Sequence, residues 1–114
     1  MIQTAQLKVE QRDGGVVLVF AGRLESASIG ALWRAAVRAA QHARGQPLSF
    51  DLSAVTFSDV GGATFLAAVE AAHGDEARLI GAPERVAALF RRARTASHPP
   101  RRAMSMAVTM RASV

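Results

Sequence analysis

Apolar and polar positions alternate weakly from Leu7 to Arg12, and a β-branched run from Val16 to Ala21 follows Asp13-Gly14-Gly15, residues that tolerate positive φ. The pattern predicts a hairpin of two antiparallel strands. After Gly22 the period lengthens. Ser26 and Ser28 offer N-caps, and Ile29, Leu32, Trp33, Val37 and Ala40 fall on one helical face, with Arg34, Arg38 and Gln41 turned away. This helix is expected to end near Gly45, before Pro47, with His42 in its last turn. Leu48 to Leu52 reads as a strand with Leu48, Phe50 and Leu52 on one face. The Asp59-Val60-Gly61-Gly62 turn then opens a second helix to about Ala72.

Ala77 to Ile80 is a short apolar strand, and Gly81-Ala82-Pro83 introduces a third helix whose buried stripe is Val86, Leu89, Phe90 and Ala93. Arg91, Arg92 and Arg94 suit the negative end of that helix. The order β-β-α-β-α-β-α, with right-handed crossovers, implies an α/β fold in which helices pack on a mixed sheet. Residues 1–94 form the expected domain, and 95–114 a basic C-terminal tail. Within the tail, Thr95 to Arg102 reads as a linker, and Met104, Met106, Val108 and Met110 alternate with smaller or polar residues. A final edge strand is one reading of that alternation and a frayed or extraneous tail is the other.

Composition narrows the class. A chain of 114 residues that is 50% hydrophobic suits one small globular domain with a single core. It has no cysteine, which excludes disulfides, thiolate zinc sites and cysteine nucleophiles and suits a reducing compartment, so a cytoplasmic location is expected. The opening MIQTAQLKVEQRDGG lacks the basic and apolar regions of a secretory signal. The longest apolar candidate for a membrane span, Val60 to Ala72, is broken by Gly61, Gly62, Thr64 and Glu70 and falls short of the roughly 20 residues required.

Charge is unevenly placed. Met1 to Glu84 carries seven basic and nine acidic residues, whereas Arg85 to Val114 carries seven arginines and no acid. Nucleic-acid binding is not expected, because those arginines are not interleaved with stacking aromatics; Phe90 alone is aromatic there. A solvated basic end is the reading preferred, with anionic headgroups or an acidic partner as the alternative contact.

Catalytic motifs are missing. Lys8 is the only lysine, and neither phosphate-binding glycine signature occurs, which argues against a kinase or GTPase. His42, His73 and His98 lack metal-ligand spacing and read as surface or capping residues; no metal or other cofactor is expected. Asp51 lies within a strand and Asp59 directly precedes a helix, so the two do not form the acidic pair of a phosphoacceptor site. Asp59 reads as an N-cap worth about 1 kcal/mol. The adjacent Gly61-Gly62 pair would leave the helix N-terminus bare, open to a partner backbone or an anion. On the helix itself, Phe65, Ala68, Val69 and Ala72 form one stripe. Val60, Ala63, Thr64, Ala67 and Ala71 form a second, small and uncharged, which is expected to face outward and to dock a partner.

The stretch from Ser49 to Ala68, SFDLSAVTFSDVGGATFLAA, resembles the central signature of STAS domains, and the similarity of element order extends over about Val16 to Arg94. The stretches AGRLESASIGALWRAA and FDLSAVTFSDVGGATFLAAV are most similar to the STAS subunits of Mla-type ABC systems that move phospholipids. The resemblance implies a non-catalytic interaction module whose partner-binding residues are Asp59, Val60, Gly61, Gly62, Ala63, Thr64 and Ala67. The partner it implies is the ATPase subunit of such a transporter, with the membrane reached only through that complex. The alternative partner is an anti-sigma factor kinase, as for the anti-sigma factor antagonists of the same family. In those relatives a Ser or Thr follows the aspartate and accepts a phosphate that breaks docking. Here that position is Val60, which cannot be phosphorylated, so the chain would stay in the binding-competent form. The family's usual further strand and helix after the third helix are replaced by TASHPPRRAMSMAVTMRASV.

Overall fold

The computed structural model of the protein describes residues 5–97. Its elements run β1 (Gln6–Arg12), β2 (Gly15–Leu24), α1 (Gly30–His42), β3 (Leu48–Ser58), α2 (Val60–His73), β4 (Arg78–Ile80) and α3 (Glu84–Ser97). This is the order read from the pattern. The tip of the first hairpin is closed by Asp13 (φ 49°) and Gly14 (φ 78°), a two-residue turn whose positive φ values match the right-handed twist of the strands it joins. Arg12 accordingly pairs with Gly15, and the antiparallel register runs back to Gln6 opposite Ala21.

The sheet has four strands in the order β1-β2-β3-β4, with β2, β3 and β4 parallel. Each right-handed crossover steps one strand in the same direction, which puts α1 and α2 on one face. The aromatic core shows that α3 joins them. Phe20 and Phe50 meet edge to face at 5.8 Å, Phe65 of α2 packs on Phe20 at 5.8 Å, and Phe90 of α3 packs on Phe50 at 5.8 Å. Such pairs contribute about 0.5–1.5 kcal/mol each beyond area burial.

Strand β3 is longer than the apolar run that announces it. Leu48, Phe50 and Leu52 do line its inner face, but the strand continues to Ser58. Register shifts between Val19 and Ala21 and between Gly22 and Arg23 pair Ala54 with Ala21 and Val55 with Gly22, so Val55 rather than Ala54 points inward. The irregularity breaks the period-two pattern that would have marked the extension.

Helix α1 is rotated from its expected face. Ile29, not a serine, occupies its N-cap, without a side-chain bond. The Ser28 hydroxyl donates to the Arg23 carbonyl at 2.6 Å instead, so it closes the β2–α1 loop. Ile29, Ala36, Ala40 and Ala43 are the buried positions, while Trp33 stays 39% exposed. Two alanines at the contact allow α1 to approach its neighbours closely. Helix α3 buries Val86 and Phe90 as expected, and it continues through Thr95, where the tail was expected to begin; the Thr95 hydroxyl donates back to the Arg91 carbonyl at 3.1 Å. Residues 98–102 of the linker and the alternating methionines lie outside the described residues.

Two buried polar groups hold the helix layer together. Glu70 on α2 is fully buried and receives both Nε (2.9 Å) and Nη2 (2.7 Å) of Arg94 on α3, along with the Ala77 amide at 2.7 Å. Arg94 also lies 4.7 Å over the Phe90 ring, so it serves as an interhelical clamp more than as a charge at a helix end. His73, 3% exposed, is a capping residue but not a surface one. Its Nε2–H points at the Gln46 carbonyl (2.8 Å) and the Ala43 carbonyl (3.1 Å), while Nδ1 faces the Asp75 amide at 3.4 Å. The end of α2 is thereby tied to the loop between α1 and β3.

Candidate functional site

The carboxyl ends of β2 and β3 lie side by side, with Leu24 opposite Ser58, and α2 starts immediately beyond. Asp59 makes the junction. Its backbone is extended (φ −100°, ψ −174°) and its Oδ1 accepts from the Gly62 amide at 2.8 Å, the N-cap bond expected from the sequence. Oδ2 faces the Ser26 amide at 3.4 Å, and the Asp59 amide donates to the Leu24 carbonyl at 3.2 Å. One residue therefore binds the helix end to the β2–α1 loop.

The glycines serve the protein's own chain. A Cβ on Gly62 would lie 1.9 Å from the Leu24 carbonyl oxygen and 2.7 Å from the Ser58 hydroxyl; one on Gly61 would lie 2.1 Å from the Ser26 hydroxyl. Gly62 is needed so that the first turn of α2 can seat against the end of β2. The expectation that this pair leaves a bare helix end for a partner backbone is thus corrected: at Gly61 and Gly62 the space is filled by Ser26, Leu24 and Ser58.

The outward face of α2 also differs from the expected one. Ala63 is 1% exposed and Ala67 is fully buried, so neither faces a partner. Their helical spacing with Val60 and Ala71 predicts an outward face for both. Helix α2, however, is wedged between α1, α3 and the sheet, which buries Leu66, Val69 and Glu70 as well. What remains accessible is a narrower strip: Val60 at 69% exposure, Thr64 and Ala71 exposed, Ala68 half-buried. Val60 is the most exposed of the large apolar side chains and stands on the first helical residue, directly after the capping aspartate.

Trp33 on α1 is also exposed beside α2, which the sequence does not show because its periodicity admits a frame that buries it. Its ring rests on Phe65 at 5.1 Å with its rings tilted by 48°, and a good part of the indole faces solvent. Trp33 stands in the first turn of α1 and Val60 on the first residue of α2, the two helices that follow the carboxyl ends of β2 and β3.

Asp51 belongs elsewhere. Alternation with Phe50 and Leu52 puts it on the sheet face away from the helices, where Ser53 donates to Oδ1 through its hydroxyl and through its amide at 3.1 Å. Those bonds, with Arg12 Nη2 3.9 Å away, hold its carboxyl below the usual range despite partial burial. Asp51 and Asp59 form no acidic pocket. Ser58, two residues before Val60, is 6% exposed and donates to the Asp59 carbonyl at 3.1 Å, so it is an internal strut. Among the described residues, no three His, Cys, Asp or Glu side chains cluster as a metal site would require, and no helix is long and apolar enough to cross a membrane.

Residues 7–97 match the family described as "Mlab, STAS domain". The chain belongs to the STAS domain family. The fold agrees: a solved structure of the anti-sigma factor antagonist SpoIIAA in its unphosphorylated form superposes with a TM-score of 0.59 at 14% identity, covering 75% of this chain and 82% of that one. Among curated protein sequences none matches significantly. The STAS expectation for the mixed sheet and its three helices is met, and in this STAS domain the residue after the capping aspartate is an exposed valine.

Proposed function

We propose that this STAS domain is a non-catalytic docking module, and that it binds a protein partner through the exposed strip at the start of α2. The observation that carries the reading is Val60: a large apolar side chain, 69% exposed, held in place by the Asp59 cap and the Gly61-Gly62 turn. Isolated exposed apolar residues are ordinary on protein surfaces, but here Thr64, Ala68 and Ala71 extend the strip without a charge, and Trp33 supplies an aromatic anchor of the kind that concentrates binding energy. The contact set is therefore Asp59, Val60, Gly61, Thr64, Ala68 and Trp33, with Gly62, Ala63 and Ala67 supporting it from beneath.

The partner proposed is the ATPase subunit of an Mla-type phospholipid ABC system, which places the protein at the cytoplasmic face of a membrane through its partner. The match to the family described by the name Mlab supports that choice. With valine at the position where family members carry a phosphorylatable hydroxyl, the module remains binding-competent at all times. A second reading, an anti-sigma factor antagonist that docks on a kinase, is favoured by the shared fold with SpoIIAA. Affinity capture of the tagged protein from its native cells in mild detergent, read by mass spectrometry, separates the two. Co-purification of an ABC ATPase with its permease supports the first; a soluble ATP-binding kinase supports the second; capture of neither refutes both.

A further inference from the structure

A groove of about 620 Å³ runs between α1 and the edge strand β1, on the side of the domain away from α3. Its floor is apolar, with Val9, Val16 and Ala35, and Val9 is 52% exposed. Its rim is lined by two arginines and a histidine: Arg34, Arg38 and His42 follow one another at four-residue spacing along α1. No acidic side chain lines it, and neither arginine has an ion-pair partner among the described residues. Beside this rim lies the outer edge of β1, which among the described residues is paired on one side alone, to β2.

We infer that this groove docks an extended acidic segment of a protein partner, which adds to the sheet as a strand beside β1. The spacing supports it. Successive basic residues on α1 are separated by about 6 Å of helix rise. Alternate residues of an extended strand are separated by about 6.6–6.8 Å. Carboxylates at every second position of an added strand therefore meet Arg34, Arg38 and His42 in turn, while the strand's backbone pairs with unused groups of β1. A single lipid headgroup engages one point of such a row and makes no use of the strand edge. The chain's own ends are unsuitable occupants: residues 1–4 and 98–114 contain no acidic residue, and the latter carry Arg101, Arg102 and Arg111. A second copy joined edge to edge would present Val9 and Gln11, neither of them acidic, on the face that meets this basic rim. This surface is separate from the α2 strip, so the inference stands apart from the docking reading above.

The test uses the full chain and a fluorescent peptide of alternating valine and glutamate, with binding read by anisotropy. Binding is expected to be weakened by salt, to weaken about tenfold in the Arg34→Ala, Arg38→Ala double variant, and to be lost when alternate peptide amides are N-methylated. Both arginines are exposed and unpaired, so an unchanged melting temperature is expected to certify the variant's fold. Equal binding to the double variant, equal binding of an N-methylated or lysine-valine peptide, or no binding at all overturns the inference. Sedimentation with phosphatidylglycerol vesicles that depends on Arg34 and Arg38, without peptide binding, overturns it in favour of a lipid site.

Discussion

Replacing Gly62 by alanine probes the geometry on which the site depends. The new methyl carbon would stand 1.9 Å from the Leu24 carbonyl oxygen and 2.7 Å from the Leu24 carbonyl carbon, both main-chain atoms of β2. Side chains can rotate away from an intruding methyl; a strand held in register by β1 and β3 can only shift as a body. Overpacking costs about 1–3 kcal/mol where neighbours yield, and main-chain obstruction puts this case at the top of that range, about 3 kcal/mol. Exchanging glycine for alanine inside a helix returns about 1 kcal/mol. The net expectation is a loss of about 2 kcal/mol, which lowers the melting temperature of a domain this size by about 8–16 °C. Two sister substitutions calibrate the result in the same thermal and urea unfolding series. At Gly61 the obstacle is the Ser26 hydroxyl, which can turn aside, so Gly61→Ala is expected to cost less. At Gly30 a Cβ meets nothing within 4 Å, and Gly30→Ala should leave the protein as stable as before or slightly more so. If Gly62→Ala melts with or above the unmodified protein, the close seating of α2 on β2 is wrong.

Other perturbations test separate parts of the account. Arg94→Ala strips the fully buried Glu70 carboxylate of its guanidinium; urea unfolding should show a loss of about 3–5 kcal/mol, and a loss below about 1 kcal/mol would contradict the clamp. Ala67→Glu puts a charge where no solvent reaches, so circular dichroism should show an unfolded or molten chain, whereas a native melt would return Ala67 to the surface. For Asp51 the carboxyl is stabilised in its charged form by the Ser53 hydroxyl and amide, so its pKa is lower folded than unfolded. Its contribution is present above the ordinary carboxylate value of about 4 and disappears as pH falls through the lowered folded value. Melting curves of the unmodified protein and Asp51→Asn should differ at neutral pH and converge in acid; a gap that widens in acid would refute the sign.

The element order was legible because each break in it has a local chemical cause: Asp13-Gly14 at the hairpin, Gly45 and Pro47 after α1, Asp59 and the paired glycines before α2, Pro83 before α3. The cap at Asp59 was legible for the same reason, since an aspartate before a helix meets free amides whatever the tertiary fold. Facing was harder. The pattern of α2 is apolar on nearly all sides, so its period could not tell Ala67, which is buried beneath neighbouring helices, from Ala71, which is exposed. In α1 the buried line is made of alanines, and the larger Leu32 and Trp33 drew the expected face a fraction of a turn away from it. The role of Gly62 depended on how closely the β2 backbone approaches, a distance between residues far apart in the chain. Glu70 with Arg94 is another such case, since the two are separated by 24 positions and only the α2–α3 packing unites them.

The central claim, that the start of α2 is the docking face and Val60 its exposed centre, is tested most directly by comparing partner capture by the unmodified protein and by Val60→Asp. An acidic residue at the first helical position favours the positive end of the helix, so the variant should melt no lower than the unmodified protein and up to about 1 kcal/mol more stably. The account predicts that it nonetheless loses the co-purifying partner, because a desolvated carboxylate replaces an apolar contact. Undiminished capture by a folded Val60→Asp protein would contradict the account and place docking on another surface.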